Sequence, residues 1–400
     1  MKNRSSLVAL NCLAIGSGFY LTQIIPVSPI YPLALAAILL IAFSGAQRRL
    51  TALPPHLTVN IVIGLATLHF VLYLVWISPF NSALGFYLNF FFLALAWKVL
   101  PYVDRAQMDR IGLRLLDVTI AIGAAEALVR WVFPFQQFNE GFLDYVDESG
   151  STFYLYKFNS IMYQDSNFVG MWLLVIVAFA IEHYGWRRTP GRIAALTALL
   201  CLTICRSALI FFIVYLLLKY LRKKVPNVAL RTLIIGVTAT AGLAAFASVI
   251  VNDESFRSKL TIFGLASANY LAEMTPERAI FGVGIAKSFE LLDGIAAHNF
   301  LLELLMETGI FGLLYVLTGL FALARMGGPA GRTIVWLFIG AGLSFAPMTT
   351  PYMYVVLSIL AVMRSGRVPR QKRRAPRAPA PAAVPASPVP QLPVAAQSTG

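Results

Sequence analysis

The chain is poor in charge, acid, cysteine and histidine, and each scarcity excludes something. Charged residues make up 12% of the 400 positions, against roughly a quarter in soluble domains, so an ordinary water-facing surface is excluded. The three cysteines, Cys12, Cys201 and Cys205, all fall inside apolar runs, which excludes a disulfide framework. By spacing, Cys201 and Cys205 share one helix face, and the ordinary role of such a pair is core packing. Acidic residues stop altogether at Glu307. A lone Gly282-Val-Gly284 does not mark a nucleotide site. The net charge of +14 invites a nucleic-acid reading, yet seven basic residues crowd between Arg364 and Arg377, and most others form short clusters between apolar runs. That is how loops are held on the cytoplasmic side of a membrane, so no nucleic-acid partner is expected. The tail cluster reads as a topology anchor, with contact to anionic lipid as the alternative.

Apolar sequence is what the chain has in abundance: 58% hydrophobic residues and a mean hydropathy of +0.73. Runs of membrane-spanning length fall at 7–25, 28–46, 57–77, 80–100, 111–133, 165–184, 193–218, 230–250, 298–323, 332–347 and 350–363. A barrel would show short alternating segments instead. The predicted fold class is all-α, a polytopic transmembrane helical bundle of about 12 membrane segments including a short hairpin. Residues 1–364 form the membrane domain. Residues 365–400, rich in Pro and Ala, form a disordered basic cytoplasmic tail. Lys2 and Arg4 ahead of an apolar stretch with no clear cleavage site read as a retained first span. No internal repeat is evident.

Charge parity fixes the predicted topology. With Lys2 and Arg4 inside, Arg48 and Arg49, then Lys98, Arg105 and Arg110, then Arg187, Arg188 and Arg192 return inside, leaving 134–164 outside. The stretch 193–218 has basic clusters at both ends, the second being Lys219, Arg222, Lys223 and Lys224. A single crossing would put one cluster outside. A helical hairpin turning near Cys205-Arg206-Ser207 keeps both inside, with arms of about 20 Å that are too short for a full core of about 30 Å. Both termini are then cytoplasmic, the large loop 251–297 lies outside, and Arg206 sits within the membrane. An intramembrane Arg marks a functional site by default; its plainer roles are a structural ion pair or a snorkelling side chain.

The outer segment 134–164 carries Glu140, Asp144, Asp147 and Glu148 among aromatics such as Phe135, Tyr145 and Tyr154. Its acids lack the regularity of a calcium loop and read as solvated charges. The large loop holds Arg257, Lys259 and Arg278 and ends at His298-Asn299. His56 and His183 fall near cytoplasmic ends, and His69 lies mid-span, where a helix–helix hydrogen bond is the common explanation. Asp117, Glu126, Glu303 and Glu307 are intramembrane acids, expected to support neighbouring arginines rather than to relay protons.

One ordered pattern stands out: Gly282-Val-Gly284, then His298-Asn299, then Glu307, Gly309 and Gly312 on the following helix. It resembles the signature of the bacterial O-antigen ligase and polymerase superfamily. There a Gly-x-Gly in the large periplasmic loop precedes His-Asn and a helix bearing Glu, Gly and Gly. Thr203-Ile-Cys205-Arg206-Ser207-Ala208 is similar to the family's Thr-x-Ser-Arg-Gly/Ser-Ala, with Cys205 where the family has Ser. Asp165-Ser166-Asn167-Phe168, at a helix start, is a third likeness. The resemblance covers about the second half of the chain; the first hundred residues share only hydrophobic helices.

The resemblance implies a GT-C-like bundle in the bacterial inner membrane that transfers glycan on the periplasmic face. The donor would be an undecaprenyl-pyrophosphate-linked oligosaccharide, and the acceptor a glycan or the lipid A core. No cofactor, nucleotide sugar or metal is required, and other polysaccharide-assembly proteins are candidate partners. The residue chemistry agrees. A departing pyrophosphate needs fixed cations, and the planar guanidinium of Arg is suited to phosphate oxygens. Arg206 is the first such cation. Arg257, Lys259 and Arg278 are candidates for a second, Arg257 being the slight favourite, and Asn299 is a candidate substrate contact. His298 is placed to deprotonate the acceptor hydroxyl or, as imidazolium, to bind pyrophosphate; its plain role is helix capping. Polymerisation of O-antigen or exopolysaccharide repeat units is favoured modestly over ligation to lipid A core. A lipid-linked oligosaccharide flippase, the alternative of another class, would show repeats and matched broken helices.

Overall fold

The apolar runs become helices in the computed structural model. It describes residues 2–21, 28–43, 57–76, 80–100, 103–132, 153–163, 165–252, 254–270, 272, 274–292, 294–295 and 297–365. Arg48 and Arg49, His56, most of 134–164 and the tail from 366 lie outside the described residues. In order the helices are α1 Lys2–Gly16, α2 Ile30–Phe43, α3 Leu57–Trp76, α4 Phe80–Val99, α5 Arg105–Val132 and α6 Phe153–Phe158. Then follow α7 Ser166–Phe179 with a wider π turn at Ala180–Tyr184, α8 Pro190–Leu202, α9 Arg206–Lys224, α10 Val228–Asn252 and α11 Glu254–Leu265 with a π turn at Ala266–Tyr270. The remainder are α12 Pro276–Phe281, α13 Ser288–Leu291, α14 Phe300–Gly342 and α15 Pro351–Ser365. The fold is all-helical, with no strand among the described residues.

Among the described residues, three helical stretches are long and apolar enough to cross a membrane: Leu57–Leu74, Ser166–Tyr184 and Phe300–Gly342. Shorter apolar helices surround them. α7 is the centre. Val169 to Ile181 are buried without a break, as expected of a helix that is apolar all round, and α5, α8, α9, α14 and α15 pack against it. α3 is peripheral: Leu57, Ile61, Leu68, Val71 and Leu74 form an exposed apolar stripe at helical spacing.

α14 is not one rod. Gly309 (φ 64°, ψ −172°) and Gly328 (φ 70°, ψ −144°) interrupt it, the second just before Pro329. A Cβ on Gly331 would lie 2.8 Å from the Ala324 carbonyl oxygen, although seven residues of straight helix span about 10 Å. The chain therefore folds back at Gly328, between the two segments read from the sequence as 298–323 and 332–347. The return arm ends beside the start, where Asn299 Nδ2 donates to the Leu343 carbonyl at 3.1 Å.

The helix between Arg192 and Lys219 breaks where the charge argument requires. α8 ends at Leu202, α9 begins at Arg206, and Ile204 takes φ 52° between them. At one level the turn meets the beginning of α7, with Ser166 Oγ donating to the Thr203 carbonyl at 2.9 Å. At the other, Lys219 reaches Glu182 at 2.8 Å, while Arg188 meets Asp109 and Arg192 meets Asp117, each at 2.6 Å. Both basic clusters thus stand at one end of the bundle and the turn at the other. Two expectations are corrected. α9 runs 19 residues, about 28 Å, so the arms are unequal and the second continues through Arg222, Lys223 and Lys224. Cys201 and Cys205 do not share a helix, because the turn separates an exposed thiol from a buried one. The first segment is also shorter than read. α1 ends at Gly16, and Ser28 takes the Leu21 N–H at 3.0 Å while donating to the Phe19 carbonyl at 3.1 Å.

Candidate functional site

Three helices begin at the end opposite the basic clusters. Asp165 caps α7, its side chain accepting the Asn167 N–H at 2.8 Å. Asn299 caps α14, accepting from Leu301 N at 3.1 Å and Leu302 N at 3.0 Å. α9 starts at Arg206 behind the buried Cys205, which packs on Gly170 of α7. Phe168 and Phe345 meet edge to face at 5.6 Å, and Gly342 faces Phe300 and Met171. The three beginnings therefore share one end of the bundle. Helix N-termini carry partial positive charge and unpaired N–H groups, which together favour anions.

Charged side chains gather around them. His298 stands just ahead of the Asn299 cap with φ 46°, a left-handed conformation that persists only where surroundings enforce it. One side of the residue stays exposed. The protein atoms around the rest of the ring push its pKa down by desolvation; Asp165 pulls it up, and Lys157 and Lys259 push it down further. Lys157, from α6, lies 3.9 Å from Asp165, and the charges of both reach Cys205 at the α8–α9 turn. Burial pushes the Asp165 carboxyl up, opposed by Lys157, by the Asn167 N–H groups and by His298. Lys259 Nζ donates to Ser344 Oγ at 2.7 Å, which pins it between α11 and the turn after α14.

The predicted residues therefore separate. His298, Lys259 and the Arg206 turn come to one end of the fold. Arg257 is an exposed residue of α11, two positions from Lys259 and so about 200° around the helix from it. Arg278 lies in α12, whose first turn is capped by the Thr275 hydroxyl at 3.3 Å from its N–H. Lys259 is a loop cation whose charge reaches His298. Asn299 caps α14 with its carboxamide oxygen and reaches the Leu343 carbonyl with its Nδ2. Asp165 entered only as a sequence likeness and Lys157 not at all. The available signal was a single lysine in an aromatic stretch seven to nine residues ahead of a helix start.

Gly282, Gly284, Glu307 and Gly309 form a clasp, while Gly312 lies beside Thr308 in the same helix. α14 is interrupted at Gly309, and loop backbone takes the carbonyls just before the break: Val283 N to Met306 O at 2.8 Å and Gly284 N to Glu307 O at 3.2 Å. Gly282 (φ 79°) has no room for a side chain against the Glu307 backbone, nor Gly309 against the Ile280 carbonyl. The Tyr73 hydroxyl of α3 closes on the Phe281 and Glu307 carbonyls. Ser288 Oγ donates to Glu307 Oε1 at 2.7 Å, so the partner of this acid is a hydroxyl where an arginine was expected. Glu126 and Asp117 do pair with arginines, Arg130 at 2.9 Å and Arg192 at 2.6 Å. His69 Nδ1 meets the Tyr315 hydroxyl at 2.9 Å, a bond between α3 and α14. Among the described residues no three His, Cys, Asp or Glu side chains come together as a metal would need.

No family model matches the chain, and no curated protein matches it.

Proposed function

We propose that the chain is a polytopic, metal-independent glycosyltransferase of the bacterial inner membrane. In this reading about 12 segments lie in the membrane, both termini face the cytoplasm, and the end carrying His298 faces the periplasm. The enzyme transfers a glycan from undecaprenyl pyrophosphate onto the sugar of another lipid-linked unit, polymerising O-antigen or exopolysaccharide repeats. The observation that carries this is the gathering of three helix N-termini, the Arg206 turn, Lys157, Lys259 and His298 at one end of an apolar bundle. Such an end suits an anionic headgroup whose lipid tail stays in hydrocarbon.

The chemistry needs little more. The acceptor hydroxyl oxygen attacks the anomeric carbon, and the bond from that carbon to the pyrophosphate oxygen breaks. The electron pair leaves with undecaprenyl pyrophosphate, and the hydroxyl proton passes to His298. Lowered basicity keeps His298 unprotonated, hence competent as a base, at neutral pH. Cations and helix ends aimed at the leaving group stabilise the charge that grows there.

The test is complementation of a deletion strain with His298→Ala or Arg206→Ala. Both are expected to abolish polymer, and full-length polysaccharide from either overturns the reading. The deletion strain itself separates polymerase from ligase. Core capped by a single repeat is expected for a lost polymerase, whereas polymer retained on the lipid carrier indicates a lost ligase.

A further inference from the structure

A pyrophosphate leaving group calls for a cation beyond Arg206, and the sequence directs attention to the 251–297 loop. We infer that Lys157, from the shorter segment ahead of α7, is a ligand of the donor pyrophosphate, held at rest by Asp165 and handed to phosphate when the lipid-linked donor binds. This inference rests on the proposed function.

The geometry of the resting pair supports it. Among the described residues, four other Lys and Arg pairs with carboxylates close to between 2.6 and 2.9 Å. Lys157 Nζ stays 3.9 Å from Asp165 Oδ2, outside hydrogen-bond range. Asp165 already accepts at each oxygen, Oδ1 from the Asn167 N–H at 2.8 Å and Oδ2 from the Asn167 carboxamide at 2.9 Å. At 3.9 Å the carboxylate holds the ammonium by charge without a hydrogen bond, beside the Phe158 ring at 5.7 Å. A pyrophosphate ester with two or more negative charges offers at least twice that attraction at equal distance, and lysine binds phosphate as a point charge.

The base of the side chain is fixed where this exchange would be useful. The Tyr156 hydroxyl donates to the Leu202 carbonyl at the end of α8. Its ring lies 4.6 Å from the buried guanidinium of Arg130. α6 is thereby strapped to the turn that presents Arg206, and Lys157 stands between that turn, Asp165 and His298. Its long stem keeps the ammonium movable while the backbone stays put.

The experiment measures binding of undecaprenyl pyrophosphate, with undecaprenol as the uncharged control, to the full chain in lipid nanodiscs. Lys157→Met is expected to weaken the pyrophosphate at least about tenfold and to leave undecaprenol unchanged, with Lys157→Arg restoring most of the loss. Asp165→Asn keeps the helix cap but frees Lys157, so it is expected to tighten the pyrophosphate. Equal affinity in Lys157→Met and the unaltered protein overturns the inference alone. So does equal weakening by Lys157→Met and Asp165→Asn, because the pair is then structural. If the unaltered protein binds the pyrophosphate no better than undecaprenol, the proposed function falls with it. Should Lys157→Met fail to fold, Asp165→Asn decides: tighter binding supports the exchange, and unchanged or weaker binding overturns it.

Discussion

Gly170→Ala offers a sharp test of whether the α8–α9 turn positions the site. Gly170 lies one turn into α7, against the Cys205 Cβ. An added methyl would also stand 2.9 Å from Thr203 Oγ1 and 3.1 Å from Cys205 Sγ. Ordinary contact needs about 3.5–4.0 Å, so the turn must retreat by about 1 Å. Alanine in a helix interior gains about 0.8–1 kcal/mol over glycine, and overpacking costs about 1–3 kcal/mol. The net loss of stability is therefore small, about 0–2 kcal/mol. Displacing Arg206 by about 1 Å costs about 100-fold in rate. The variant should thus unfold within a few degrees of the unaltered protein and yet make little polymer. Gly64→Ala is the control, since among the described residues nothing lies within 4 Å of a Cβ at that position in α3, and it should keep full activity. Cys205→Gly added to Gly170→Ala removes the overlapping Cβ and should restore part of the rate. A Gly170→Ala protein with more than half the normal activity would refute the reasoning.

Other outcomes follow from the same geometry. Because Asp165 pulls the His298 pKa up and Lys157 pushes it down, Asp165→Asn should move the acid limb of the pH–rate profile to lower pH. Lys157→Met should move it higher, and shifts in the reverse sense would exclude His298 as the base. Glu126→Gln strands the buried Arg130 and should cost about 3–5 kcal/mol in thermal or denaturant unfolding. Asp117→Asn, at an exposed pair with Arg192, should cost less than about 1 kcal/mol, and equal losses would contradict the burial argument. Gly282→Ala combines a left-handed φ with overlap on the Glu307 backbone and should destabilise far more than Gly294→Ala. Gly294 has a similar φ of 83° but, among the described residues, meets only the Phe289 ring at 3.7 Å, so its cost is the conformational one, about 1–2 kcal/mol.

The helices were legible because a long apolar run leaves the backbone no other way to satisfy its own polar groups. The turn at Cys205-Arg206-Ser207 was legible from charge alone: basic residues on both sides of one run cannot sit on opposite faces. Other features were hidden for specific reasons. Ile204 takes a positive φ that no β-branched residue advertises, so the spacing of Cys201 and Cys205 suggested a shared face that the turn removes. Arg257 and Lys259 are indistinguishable by composition, and the bond from Lys259 to Ser344, 85 residues downstream, is a tertiary contact that spacing does not reveal. Asp165 and His298 meet across more than a hundred residues of chain. Lys157 sits where a loop reading assigns solvated charge. Glu307 seemed a partner for arginine because it stands in an apolar helix, yet Ser288 in the loop had already satisfied it.

The clasp at Gly282 and Gly309 has a consequence for how such a protein can diversify. Residues 284 and 299 are each fastened to α14, one to the Glu307 carbonyl and the other, by its cap, to the Leu343 carbonyl. The stretch between them is a closed loop with both ends pinned. Its length and composition can drift while His298 stays where the two fastenings put it. On the proposed function, the loop between them would tune which sugars reach the end of the bundle without moving the proposed base.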